Sequence, residues 1–150
     1  YYITAERMQG HGAPARRETF LKGQDAFRRA MTLGRENCER VEIPFKGKFI
    51  PGLMTRAGEA GKPGPWVVYV NGLDSCKELL YWSWLPHALA KRGISTLCVD
   101  QPGTGEALRA LELHATHASE QWGTPVYEWL VQQAGVDPQR VGMVGISLGG

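Results

Sequence analysis

The sequence predicts an α/β fold: a mostly parallel sheet flanked by helices and preceded by a helical segment. Two observations carry this. Apolar, strand-like runs at 66–70, 94–99 and 140–145 alternate with helix-like segments at 78–92 and 116–133. That order implies parallel pairing through crossovers. Polar and apolar residues also alternate over 39–56 around a turn, which reads as an antiparallel hairpin at the edge of the same sheet.

The elements follow in chain order. Residues 1–35 place Ala5, Met8, Phe20, Phe27, Ala30, Met31 and Leu33 at helical spacings between Arg, Lys and Glu. Gly10-His11-Gly12-Ala13-Pro14 breaks this segment into two helices, and Gly34 suits a stop for the second. The segment is a candidate cap element, and residues 36–150 are expected to be the sheet domain. Glu39 to Phe45 alternates like a half-exposed strand, and Lys46-Gly47-Lys48 suits the turn. Phe49 to Arg56 returns, with Pro51 favouring a sheet edge. Residues 57–65 are a Gly/Pro loop. The three later runs are continuous and apolar, as strands buried on both faces are.

Composition excludes several classes. With 150 residues and 43% apolar content the chain can bury a core. The formal charge is +2, with basic residues scattered, so neither a nucleic-acid stripe nor a polybasic membrane anchor is expected. No run approaches the ~18 apolar residues of a membrane span, and the start lacks the pattern of a signal peptide. Cys38, Cys76 and Cys98 are odd in number and lack CxxC spacing. That argues against a disulfide framework and a zinc site, and favours a reducing, cytoplasmic setting. The chain begins without Met and stops at Gly150, just past the motif described next. It is expected to be the N-terminal part of a longer protein.

Gly145-Ile146-Ser147-Leu148-Gly149 is a G-x-S-x-G segment directly after the third strand. That is the context of a nucleophile elbow. The serine must occupy a very tight strand-to-helix turn with strained backbone angles, and Gly145 and Gly149 avoid Cβ clashes there. The turn lifts the Ser147 hydroxyl above the carboxyl edge of the sheet. Asn71-Gly72-Leu73-Asp74-Ser75 follows the first buried strand, where this architecture supplies one oxyanion-hole N–H. Leu73 is assigned that donor, because Gly72 before it lets the backbone approach a substrate, and Leu148 is assigned the second. Such a donor contributes ~3 kcal/mol to the transition state.

Asp100-Gln101-Pro102-Gly103-Thr104-Gly105-Glu106 also follows a strand. A dinucleotide fingerprint would need a third glycine where Leu108 stands, so the segment is expected to shape the active-site rim instead. The histidines, His11, His87, His114 and His117, all precede Ser147. The triad order is serine, acid, histidine, so the acid and base are expected beyond Gly150 and this chain alone is expected to be inactive. His114 and His117 could share a helical face but have no third ligand nearby, so no metal site is expected.

These residues resemble the α/β-hydrolase superfamily. The segments Asn71 to Glu78 and Asp100 to Glu106, with Phe20-Leu21-Lys22-Gly23, Ala26-Phe27 and Val41 to Gly47, are similar to a narrower group. It comprises the pseudooxynicotine-type hydrolases, the polyketide-shortening hydrolases of fungal pigment pathways and the fermentation–respiration-switch-like esterases. The resemblance implies the N-terminal part of an α/β-hydrolase fold acting on a small carbonyl compound, by hydrolysis of an ester or cleavage of a carbon–carbon bond next to a carbonyl. It implies Ser147 as nucleophile, or as activator of the substrate carbonyl, no metal or organic cofactor, and often a homodimer. Asn71 departs from the His or Gly of many hydrolases, and Ala107 from the Ser of many relatives. Two alternatives stand beside this reading: a hydrolase-like binding or regulatory module without a working triad, and a serine peptidase of the same fold.

Overall fold

The computed structural model describes residues 1–10, 12–59 and 61–150. His11 and Ala60, within the expected break and loop, lie outside the described residues. The chain divides into two compact units, Tyr1–Asn37 and Cys38–Gly150.

The first unit is two helices, α1 (Tyr2–Arg7) and α2 (Pro14–Gly34), with Pro14 at the start of α2 where its missing N–H costs nothing. They approach closely at Gly23, where a Cβ would stand 3.2 Å from Tyr2 Cβ. A buried ion pair, Arg16 Nε to Glu6 Oε1 at 2.5 Å, ties the two helices. The left-handed stop falls one residue past Gly34, at Arg35 (φ 50°).

The second unit is built on a five-stranded sheet. Its strands are β1 (Glu39–Phe45), β2 (Lys48–Thr55), β3 (Gly64–Val70), β4 (Ser95–Val99) and β5 (Val136–Gly145). The spatial order is β1-β2-β4-β3-β5. β2 runs antiparallel to β1 and β4, and β3 is parallel to β4 and β5. Lys46 and Gly47, both at positive φ, close the hairpin. One sheet face carries Ile43, Ile50, Met54, Val68, Val70, Leu97 and Val99, and buries them with Trp122, Val126 and Leu130 of helix α6 (Glu120–Val131). Leu130 is fully enclosed there. Leu130→Ala is expected to cost about 2–5 kcal/mol, read as a lower denaturant midpoint in equilibrium unfolding.

Four expectations are corrected. Pro51 does not mark an edge, since β2 lies between β1 and β4. Its position is tolerated because the β2–β4 register begins at Gly52 with Val99, so Pro51 stands just past the ladder. Its carbonyl accepts the Asp100 N–H (3.0 Å). The helix expected over 78–92 is two helices, α3 (Lys77–Trp82) and α4 (Trp84–Ala90), parted at an extended Ser83 (ψ 161°). Pro86 explains the break: in a continuous helix its ring would strike the Trp82 carbonyl, whereas in the first turn of α4 it is harmless. The helix expected from Thr116 starts at Glu120, because the Thr116 hydroxyl takes the Ala118 N–H (3.2 Å) and holds this stretch in a turn. His114 and His117 therefore lie in a loop, not on a helical face. Finally, β5 is not a buried strand. Among the described residues it pairs only with β3, and Met143 is 56% exposed. No helix among the described residues is long and apolar enough to cross a membrane.

Candidate active site

The carboxyl ends of the three parallel strands point the same way, so the loops after β3, β4 and β5 gather at one sheet edge. β3 lies between β4 and β5, and the chain leaves it first towards one neighbour and later returns on its other side. In open α/β sheets such a reversal opens a crevice at the strands' carboxyl ends.

The loop after β5 holds Ser147. Its φ is 54°, a left-handed value costly for a residue with a side chain, and it opens a single 3₁₀ turn, Ser147–Gly149. The neighbouring glycines are sterically required. A Cβ on Gly145 would overlap the Gly149 carbonyl, and one on Gly149 would stand 2.7 Å from the Val70 carbonyl and 2.8 Å from that of Asn71. The Ile146 N–H bonds the Val70 carbonyl (3.2 Å), docking the turn onto the end of β3. Ser147 itself is exposed.

The loop after β3 lies against this turn. A Cβ on Gly72 would be 3.1 Å from Ser147 Cβ and 3.6 Å from Ser147 Oγ. Leu73 and Leu148 are about half exposed, at 56% and 52%. Among the described residues the Leu73 N–H makes no hydrogen bond, and the Leu148 N–H makes none outside its own turn. The structure thus places Gly72 against Ser147, with Gly145 and Gly149 in the same turn; Leu73 follows Gly72 in its loop and Leu148 follows Ser147.

Beneath them lies a buried polar assembly that sequence reasoning missed. Asp100 follows β4 with no exposed surface. Its Oδ1 accepts Asn71 Nδ2 (2.8 Å) and the Lys77 N–H (2.7 Å), and its Oδ2 accepts the Glu106 N–H (2.8 Å) and Lys77 Nζ (3.2 Å). Lys77 Nζ also donates to Glu78 Oε1 (2.7 Å) and Glu106 Oε2 (2.7 Å), which uses all three of its protons. Arg40 reaches the other oxygen of Glu106 (2.6 Å). The loop expected to form a rim is therefore buried, and Gly105, which opens helix α5 (Gly105–Arg109), is its key. A Cβ there would land inside the Asp100 carboxylate. The signal in the sequence was charge beside a buried strand, but Lys77 meets Asp100 and Glu106 across 23 and 29 residues.

Electrostatics follow from this packing. Burial opposes the charge of Lys77, yet Asp100, Glu78 and Glu106 outweigh it and hold the ammonium well above its ordinary range. Burial pushes Asp100 up to about 6 against the pull of Lys77. Glu106 also suffers burial, but Lys77 and Arg40 prevail and keep it below the usual carboxylate range. Cys76, before α3, is buried, and burial raises its thiol well above the ordinary value, so it stays an unreactive thiol. No group of His, Cys, Asp or Glu that could hold a metal ion occurs among the described residues.

A family model described as esterase FrsA-like matches residues 18–150. A hydrolase of Pyricularia grisea, pyiE, is 30% identical over 135 residues, covering 83% of this chain and 29% of that protein. The 2,6-dihydropseudooxynicotine hydrolase of Paenarthrobacter nicotinovorans is 28% identical over 133 residues, covering 86% of this chain and 35% of its own length. The chain thus spans about a third of these relatives. The crystal structure of 2,6-dihydroxy-pseudo-oxynicotine hydrolase superposes with a TM-score of 0.82 at 23% identity, over 99% of this chain and 40% of that one, which places the sheet and its helices in the α/β-hydrolase fold. With the match running from the second helix through the Ser147 turn, the chain belongs to the FrsA-like esterase family of α/β-hydrolases.

Proposed function

We propose that this chain supplies the nucleophile and the oxyanion donors of a serine hydrolase that cleaves a carboxylic ester, or a carbon–carbon bond next to a carbonyl, in a small molecule. The observation that carries the reading is the left-handed Ser147 packed against Gly72 at the carboxyl edge of the sheet. Strained backbone angles on a residue with a side chain persist where the surroundings enforce them, and here they present a hydroxyl to solvent.

In this reading Ser147 Oγ attacks the substrate carbonyl carbon and its proton passes to a histidine base. The carbonyl oxygen takes up the negative charge, and the Leu73 and Leu148 N–H groups receive it. Among the described residues neither group is engaged outside its own turn, so both are free to do so without rearrangement. The ester bond breaks as the proton returns to the leaving alcohol, and water then releases the acyl group from Ser147. The base and its acid are proposed to follow Gly150, in line with the third of the relatives' length that this chain spans.

The test is covalent. In the complete protein a fluorophosphonate probe is expected to add at Ser147, found by peptide mapping, and Ser147→Ala is expected to abolish both the adduct and ester turnover. Full turnover by Ser147→Ala would refute the reading. A folded wild-type protein that takes no label would favour a binding module without a working base.

A further inference from the structure

We infer that Asp100, held by Lys77, is a positioning residue for catalysis: it fixes Asn71 and thereby sets Gly72 and Leu73 at the correct distance from Ser147. This rests on the reading of Ser147 as nucleophile.

The Asp100 carboxylate bridges the two ends of one loop. Through Oδ1 it holds the Asn71 side chain at the loop's entry and the Lys77 N–H at its exit. Between those ends Leu73 and Asp74 are exposed. Within the loop a single backbone bond, Ser75 N–H to the Gly72 carbonyl (3.1 Å), shapes the turn. The place of the Leu73 N–H therefore depends on where the ends are pinned.

Asn71 is pinned in one orientation only. Its Nδ2 must donate to Asp100, while its Oδ1 accepts the Thr104 hydroxyl (2.8 Å) and the Gln101 N–H (3.4 Å). Its own carbonyl accepts Gln101 Nε2 (2.7 Å) and abuts the site where Gly149 lacks a Cβ. One residue thus joins the loops after β3, β4 and β5. The Asn71 amide thus points inward, its nitrogen donating to Asp100 and its oxygen accepting from Thr104 and Gln101.

Lys77 completes the device. A carboxylate with no exposed surface needs a countercharge, and Lys77 supplies it from the same loop. Hydrogen bonds to ions fix distance and direction more tightly than apolar contact does. Misplacement by about 1 Å is enough to lower a rate ~100-fold.

The experiment uses the complete protein and Asp100→Asn. That change keeps the shape and one acceptor, but turns an NH2 towards the Glu106 N–H and Lys77 Nζ. Two rates are measured: phosphonylation of Ser147, and kcat and KM for p-nitrophenyl acetate. Both rates are expected to fall at least ~30-fold, with KM within about threefold. Thr104→Val, which removes one bond to Asn71 and leaves the charges intact, is expected to lower kcat ~3- to 10-fold and decides the matter if Asp100→Asn does not fold. Leu130→Ala, a core change outside this assembly, is the control: it should lower the melting temperature and leave kcat within about threefold. Wild-type labelling together with unchanged rates in the folded variants overturns this inference alone. So does a loss of kcat in Leu130→Ala equal to theirs at equal melting temperature. An unlabelled wild-type protein overturns the reading of Ser147, and this inference with it.

Discussion

Gly145→Ala is expected to destroy the reactive turn. The added Cβ would overlap the Gly149 carbonyl, which is backbone and cannot rotate away as a side chain could. Relief requires that the 3₁₀ turn lift off the end of β3, breaking the Ile146 N–H bond to the Val70 carbonyl. A cost on the order of 4 kcal/mol is expected, in the far tail of single substitutions. In whatever protein still folds, fluorophosphonate labelling of Ser147 should slow at least ~100-fold, since the displacement exceeds 1 Å. Urea unfolding and a labelling time course check both parts. Near-normal labelling would show that the turn tolerates a side chain, contrary to this geometry.

Lys77→Met is expected to cost about 3–5 kcal/mol, because it leaves buried carboxylates without their countercharge. The penalty should depend on pH, and its sign can be worked out. The groups facing Lys77 are Asp100, Glu78 and Glu106, with Arg40 still on Glu106. Removing the ammonium raises the folded pKa of Asp100 and Glu106, and Asp100 already stands high, pushed up to about 6 by burial. A carboxylate whose folded pKa lies above its unfolded value loses stability as pH rises through the folded value. The variant's folded state binds more protons than the wild type's, so its deficit should be smaller at pH 5 than at pH 8. Denaturant unfolding at both values checks this. A deficit that grows on acidification would mean that the carboxylates were not left ionised and unpaired.

The assembly is a weak source of net stability. A buried set of ions gains little over apolar packing of the same volume once desolvation is counted. What it supplies is geometry: loops that follow three different strands are held in one arrangement by directed bonds.

Much of this was legible in the sequence by itself. Period two over Glu39–Phe45, the continuous runs of β3 and β4, and the strand-to-serine spacing at Gly145–Gly149 are local patterns. They arise from constraints within a few residues, namely side-chain alternation and forbidden backbone angles, so a single segment suffices to read them. The break at Ser83 has an equally local cause in the Pro86 ring, although a single helix was expected over 78–92. Other features belonged to the tertiary structure. Pro51 stands inside the sheet because β4 ends opposite it, and among the described residues β5 has a strand neighbour on one side only and is exposed. Burial is a property of neighbours, not of a run of letters. The polar assembly shows this most clearly: Asn71 and Lys77 meet Asp100 across 29 and 23 residues, and nothing local marks Gly105 as the space for a carboxylate. The sequence by itself marked the strands and the Ser147 turn, though not the break at Ser83 or the start of α6 at Glu120. Only the tertiary structure decided which charges meet beneath that turn, because pairing in a buried site depends on how distant segments cross.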